Sequence, residues 1–377
     1  GPRSSPRSLV AVGVVAGVEA EGQVRHDAHG TAVTVGGVIR RFLTLFAALV
    51  PIVAFGVLMA VVTVPYVSLG PGPTYDTLGE FEGKPVVAIE GTPVKPTSGH
   101  LNMTTVSQRD GLTMGQALTL WLSGSQQLVP RDLVFPPEKS REDIQKSQSA
   151  DFQNSEDTAQ FAALNYLNYP KAVSVEKVND PGPSVGKLQT GDAIDKVDGT
   201  PVTTVEQFSG LLKATKPGQQ IVVDYRRKNS PPGTARITLG KNDDREHGYL
   251  GVAVLDAPWA PFTVDFNLAN IGGPSAGLMF SLAVVDKLST GDLNGGKFVA
   301  GTGSIGVDGA VGPIGGIVHK MASAQEAGAT VFLVPAENCD EARTVALETM
   351  ELIKVETLPQ AIDALTTLNT GGRPPTC

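Results

Sequence analysis

At 377 residues the chain exceeds one ordinary hydrophobic core and implies two or three domains. Its 30 basic and 38 acidic residues leave a net charge of -8, with no basic footprint, so nucleic acid is not an expected partner. An apolar content of 41% with 43 glycines and 27 prolines describes a globular, loop-rich chain rather than a disordered one. The two cysteines, Cys339 and Cys377, belong to no CxxC pair, so neither a zinc knuckle nor a disulfide framework is expected. Their number leaves the redox compartment open.

Residues 1–39 are rich in glycine, alanine and valine without helical period or caps. From Phe42 to Val64 no residue carries a charge. At about 1.5 Å per residue this run spans roughly 34 Å, enough for a bilayer core, and Pro51 is tolerated in a membrane helix. A buried core helix of this length would show a polar stripe. Arg40 and Arg41 precede the run, whereas Asp76, Glu80 and Glu82 follow it. The excess of positive charge on the inner side then puts the N-terminus in the cytoplasm and the rest outside. A cleaved signal peptide is the competing reading; the run exceeds a usual h-region and no A-x-A site follows, which favours an uncleaved anchor.

Ser68 to Gly79 reads as a turn-rich connector. Pro85 to Ile89 and His100 to Ser107 read as short strands. Leu112 to Leu122 has helical spacing, as does Arg141 to Leu167 before Pro170 breaks it. Val173 to Leu239 then alternates strand signals with one helix around Val205–Lys213. Within it, Gly191 suits a positive-φ turn, Asp192 can satisfy amides of that turn, and Ile194 enters the core. Gly191-Asp192-x-Ile194 with Gly199 resembles the bacterial type of PDZ domain, departing from it at Gly186-Lys187-Leu188. The resemblance implies capture of an extended polypeptide at a sheet edge, often by its C-terminus. Asp192, Asp195 and Asp198 read there as turn-capping groups.

Two glycine-rich blocks carry the chemistry. In Asn270 to Lys287 a Gly272-Gly273-Pro274 turn opens an apolar helix, with Ser275 at its N-terminus. Free amides and the helix dipole there favour a developing oxyanion. In Thr302 to Lys320 a short strand pair and a Gly315-Gly316 turn lead into a second helix. Lys320 lies beside Ile317, Val318 and Met321, where burial would lower its pKa until the neutral amine can take a serine proton.

Pro274-Ser275-Ala276-Gly277, Thr302-Gly303 and Gly315-Gly316 with Lys320 resemble the proteolytic domain of Lon proteases, over roughly Gly248 to Leu368. The resemblance implies a catalytic dyad of Ser275 and Lys320. It gives Gly273, Pro274 and Thr302 supporting or oxyanion roles, with Thr302 orienting the amine. The acid that commonly precedes the nucleophile turn is glycine in this chain, and Ser304 stands where the family has glutamate. Anchor, PDZ and Lon-type domains together resemble the membrane-anchored, ATPase-free Lon-like proteases of bacteria.

Two rival motifs are present. Gly273–Gly277 also fits G-x-S-x-G, but its approach is a poor strand and the only later histidine, His319, points about 100° from Lys320 on a helix. His319 is expected to be a solvated helix-start residue. Gly291–Lys297 has the spacing of a phosphate-binding loop, but Phe298 occupies the required hydroxyl position, so ATP-driven unfolding is not expected. The remaining histidines show no metal-ligand spacing, and no cofactor is expected.

The expected fold is therefore multidomain α/β and α+β: an N-terminal transmembrane helix, a mainly-β PDZ domain and a C-terminal α+β Lon-type protease domain. The boundaries are a disordered cytoplasmic segment at 1–41, a transmembrane helix at 42–65, a connecting α+β region at 66–168, PDZ at 169–243 and protease at 244–370. The expected function is an ATP-independent serine endopeptidase at the cell membrane, cleaving polypeptides outside the cytoplasm, as a hexameric ring by resemblance. The alternative is an inert scaffold that binds partner proteins without cleaving them.

Overall fold

The computed structural model describes residues 35–124, 126–242, 245–268, 271–289, 292–345 and 349–377. Residues 1–34 of the expected cytoplasmic segment lie outside the described residues, as do Asn270 and Gly291 of the two glycine motifs. The chain divides into two units, residues 1–57 and 58–377.

Helix α1 (Val35–Val61) carries Pro51 within it. Its stretch Phe42–Val61 is long and apolar enough to cross a membrane, and its side chains are exposed. The helix stops at Val61 rather than reaching Val64. Val62 and Val64 are drawn into backbone bonds instead: Met114 N–H donates to Val62 O at 2.8 Å and Val64 N–H to Leu112 O at 2.9 Å.

The larger unit holds two main sheets. The first is mixed and six-stranded, from β1 (Tyr66–Asp76), β2 (His100–Arg109), β3 (Gln127–Pro130), and three later strands at Phe298–Gly301, Val331–Pro335 and Glu351–Val355. The second, in the segment whose sequence resembles a PDZ domain, comprises β4 (Lys171–Val178), β5 (Ala193–Val197), β6 (Gln220–Arg226), β7 (Gly233–Thr238) and β8 (Val252–Pro258). The late strands of the first sheet are then β9, β10 and β11. Its order is β11-β10-β9-β2-β1-β3, with β2, β9, β10 and β11 parallel and β1 antiparallel to both its neighbours.

The segment read as a connecting region thus supplies β2 and β1 to the same sheet as the later strands. The Ser68–Gly79 stretch, expected to be a connector, is an 11-residue strand. Its Gly-Pro-Gly-Pro run reads as a turn, but the ladder to β2 shifts register between Pro71 and Thr74, and β3 pairs only with Tyr66–Leu69. Prolines are accepted where a strand bulges or lacks a partner on one side.

The period of two along the parallel strands divides the core. Val299, Val331 and Leu333 face one cluster; Ala300, Phe332 and Val334 face another. The first cluster is covered by α4 (Arg141–Tyr166), α6 (Gly277–Leu288) and α9 (Leu358–Asn369), through residues such as Ala163, Phe280 and Leu365. The second is covered by α7 (Ile317–Glu326), through Ile317, Met321 and Ala324. Between these in the chain lie α2 (Met114–Ser123), α3 (Arg131–Val134), α5 (Val205–Lys213) and α8 (Cys339–Ala342). Cys339 and Cys377 form a disulfide. No disulfide framework was expected, because a separation of 38 residues in sequence says nothing of the C-terminal tail folding back onto β11, where Cys377 N–H donates to Leu352 O.

The PDZ sheet has the order β7-β6-β5-β4-β8 around its own core of Val173, Ile194, Phe208, Ile221 and Ile237. The sequence placed residues 244–258 with the protease; in the structure β8 hydrogen-bonds along β4, from Val252 opposite Val178 to Pro258 opposite Lys171.

Candidate active site

Helices α6 and α7 cover opposite faces of the first sheet, and their N-terminal ends meet around Thr302, just past the end of β9. Leu278 N–H donates to Gly303 O at 3.1 Å and Gly303 N–H to Ser275 O at 3.0 Å, which ties the start of α6 to that strand end. Gly277 is required here. A Cβ on it would lie 2.7 Å from Ile305 Cγ2 and 3.0 Å from Ser155 Oγ. Gly316 caps α7 at φ 70°, a conformation that other residues adopt only with strain.

Lys320 Nζ lies 2.7 Å from Ser275 Oγ and 2.9 Å from Thr302 Oγ1. Thr302 Oγ1 donates to the carbonyl of Ser275 at 3.1 Å. Lys320 is 3% exposed and Thr302 fully buried. Burial pushes the Lys320 amine down from its ordinary 10.5 to about 7. These three residues, all singled out in the sequence, are therefore brought into one hydrogen-bonded cluster. A groove of about 650 Å³ opens onto it, walled by Met103, Val106, Phe152, Ile271 and Ile314.

Gly273 and Pro274 shape the loop without offering donors. Gly273 sits at φ 86° with its N–H given to Gln148 O at 3.0 Å, and proline has no N–H to give. Among the described residues no backbone carbonyl accepts from the amides of Ser275 or Ala276, the two that open α6. Sequence reasoning missed the groups holding this loop from outside. Ser155 Oγ of α4 donates to Pro274 O at 3.0 Å, and Gln148 of the same helix accepts from Gly273. No local motif marks either residue, since the contact spans 119 positions.

His319 is buried at 8% exposure rather than solvated, and burial lowers its pKa. Its neighbour across the fold is Glu341 of α8, a helix that packs against α7. The phosphate-loop-like stretch is a self-satisfied turn: Asp292 and Asn294 accept from Gly296 N–H, and Lys297 Nζ donates to Asn369 at 2.9 Å. Among the described residues no group of three or more His, Cys, Asp or Glu is arranged to hold a metal ion.

In the PDZ sheet, Asp192 is fully buried and accepts from Gln189 N–H at 2.8 Å, as its turn role requires. It also pairs with Arg227 at 2.7 Å, a partner that the sequence did not reveal. Strand β8 ends the sheet order, leaving its outer edge without a strand partner among the described residues. Such an edge can take up an extended polypeptide.

Two stretches of the chain are similar to known domains. The family model of the Lon protease C-terminal proteolytic domain matches residues 270–368, and that of the PDZ domain matches residues 149–238. Lon protease 2 of Bacillus subtilis is 32% identical over 95 residues, covering 25% of this chain and 17% of that protein. The Lon protease of Roseiflexus castenholzii is 39% identical over 83 residues, 22% of this chain and 10% of the relative. The chain thus spans less than a fifth of the length of these two relatives. A solved PDZ domain of an SdrC-like protein from Listeria monocytogenes is 24% identical, covering 22% of this chain and 86% of that one, at a TM-score of 0.21.

Proposed function

We propose that this chain is a membrane-anchored serine endopeptidase, independent of ATP, in which Ser275 is the nucleophile and Lys320 its general base. The observation that carries this reading is the buried Lys320 amine 2.7 Å from Ser275 Oγ. A neutral amine has two N–H groups and one lone pair. Thr302 Oγ1 gives its proton to Ser275 O and so accepts one amine N–H, which turns the lone pair toward Ser275 Oγ. Oγ loses its proton to Nζ as it attacks the peptide carbonyl, and Nζ–H then protonates the leaving amine. The free amides of Ser275 and Ala276 at the opening of α6 supply donors for the oxyanion. Water repeats the sequence on the acyl-enzyme.

The apolar groove suits an extended chain with an apolar side chain beside the scissile bond, and the free edge of β8 suits delivery of polypeptides, by C-termini or by extended segments. The apolar length of α1 supports anchoring, with the N-terminus cytoplasmic. The Cys339–Cys377 disulfide supports a peptidase on the outer, oxidising side, since such bonds persist there. A homo-hexameric ring rests on resemblance to Lon-type domains. The test is cleavage of an unfolded protein by wild type against Ser275→Ala and Lys320→Met, each checked for folding. Loss in both variants supports the dyad; cleavage equal to wild type in either overturns it.

A further inference from the structure

Helix α2 has no role in the site above, yet it presents an exposed apolar face. Leu118, Trp121 and Leu122 fall at i, i+3 and i+4 along it, and they are 43%, 67% and 70% exposed. A soluble surface helix would turn this stripe inward. Instead Ala117 is the buried residue, and Gln116, Thr119 and Ser123 lie to the side.

The placement of α2 points to what covers the stripe. Its start is clamped to the residues that directly follow α1, through Met114 N–H to Val62 O, Val64 N–H to Leu112 O, and a bridge between Thr63 and Thr113. Thr113 and Gln116 close a reciprocal capping box, fixing the first turn at this spot. That turn also lies against the last turn of α1: a Cβ on Gly115 would be 3.0 Å from Met59 O. The first turn of α2 thus lies beside the residues that end α1. Helix α3 is held to the same exit by Arg131 N–H donating to Pro65 O, and its Leu133 is 75% exposed. Tyr66, the first residue of β1 and the ladder partner of Pro130, is 42% exposed. Tryptophan and tyrosine with an apolar body and a polar tip settle at the level of lipid headgroups.

We infer that α2 lies in the bilayer interface, with Leu118, Trp121 and Leu122 in the acyl–headgroup boundary and Leu133 and Tyr66 beside them, so that the larger unit is held against the membrane at a second point. This rests on the reading of α1 as a membrane span. An in-plane amphipathic helix gains its binding from buried apolar area, and here it needs no anchoring strength of its own because α1 supplies the tether. The consequence is orientational: the peptidase body is fixed relative to the lipid surface instead of swinging on a single helix.

The test uses the full chain carrying Trp259→Phe, which leaves Trp121 as its only tryptophan. The protein is reconstituted in phosphatidylcholine–phosphatidylglycerol vesicles containing phosphatidylcholine brominated either near the carbonyls or near the chain ends. Trp121 emission is expected to shift to the blue and to be quenched several-fold more by the shallow bromines than by the deep ones, with little quenching by acrylamide. Leu118→Ser with Leu122→Ser should restore acrylamide quenching while the chain still resists alkaline carbonate extraction. Integral protein whose Trp121 is quenched by acrylamide and not by bromolipid overturns the inference and leaves the anchor standing. Release of the whole chain by carbonate overturns the anchor and the inference together. Shielding of Trp121 from both quenchers, lost on dilution together with oligomer cross-links, assigns the stripe to a second copy and equally overturns the inference.

Discussion

On the proposed mechanism Lys320 carries both the chemistry and a penalty. Its amine is depressed to about 7 by burial, the cause that lowers it, and the hydroxyls of Ser275 and Thr302 are its neighbours. As a base it must be neutral, so kcat/KM should rise about tenfold per pH unit below 7 and level off above it, which a pH–rate profile on a peptide substrate measures. Lys320→Met should lower the rate by about 10²–10⁴-fold. The stability consequence has the opposite direction from that of a paired lysine. Between the folded value near 7 and the ordinary 10.5, the unfolded chain binds a proton that the folded chain does not, so this group makes stability rise with pH through that window. Below 7 both states are protonated and burying the cation is a constant cost. Lys320→Met is therefore expected to be more stable than wild type to urea at pH 7, with the difference shrinking toward pH 10. A difference that does not change with pH counts against a buried, titrating lysine. His319→Ala, by contrast, should lose stability through the cavity it leaves while keeping cleavage, since no hydrogen bond joins it to Ser275. Ser275, Lys320 and Thr302 could all be picked from the sequence because each sits in a short glycine-marked motif. The burial of His319 could not, because it depends on what packs over α7 rather than on its neighbours in sequence.

At the scale of elements, the loop that bears Ser275 is held by a helix that the sequence reads only as a polar-to-apolar amphipathic run. Helix α4 gives Ser155 Oγ to Pro274 O and Gln148 O to Gly273 N–H. Ser155→Ala removes one such bond, worth about 1 kcal/mol. It should lower kcat about tenfold with KM nearly unchanged, because the loop's position and not the substrate's binding is disturbed. Steady-state kinetics on wild type and variant would show it, and a change confined to KM would refute it. The bounds of α4 were legible from period and breakers: Arg141–Leu167 was expected and Arg141–Tyr166 is observed. Strand β1 was not legible, since its prolines and glycines mimic a turn until β2 is beside it. In the PDZ sheet the Gly191-Asp192 turn was legible but Arg227 was not, lying 35 positions away. Asp192→Ala should cost about 3 kcal/mol or more by leaving Arg227 without its buried partner, read as a lower urea midpoint.

For the whole molecule, the decisive feature is the order in which the chain visits its two sheets. It lays down β1, β2 and α4, leaves to build the PDZ sheet from β4 to β8, and returns for α6, β9, α7, β10 and β11. Central strand β2 is parallel to β9 and antiparallel to β1, so the first sheet has no middle without residues that precede the PDZ sheet. A fragment from residue 244 onward should consequently fail to fold, whereas residues 66–377 should fold, as circular dichroism and urea titration would report. The PDZ sheet, however, leaves and re-enters at one place. Lys171 is the ladder partner of Pro258, and Trp259 N–H donates to Pro170 O at 3.0 Å. Ladder partners have Cα atoms about 5 Å apart, a gap that two glycines span. Replacing residues 171–258 by Gly-Gly should then leave a folded domain with the Ser275–Lys320 cluster intact. If the PDZ sheet only delivers polypeptides, this deletion should cleave a short unstructured peptide at close to the wild-type kcat. Its kcat/KM on a protein substrate with a free C-terminal tail should fall severalfold. Equal loss on both substrates would show that the inserted sheet sustains the site itself, through contacts such as Asn229 N–H to Pro261 O. No loss on either would remove the PDZ sheet from substrate delivery.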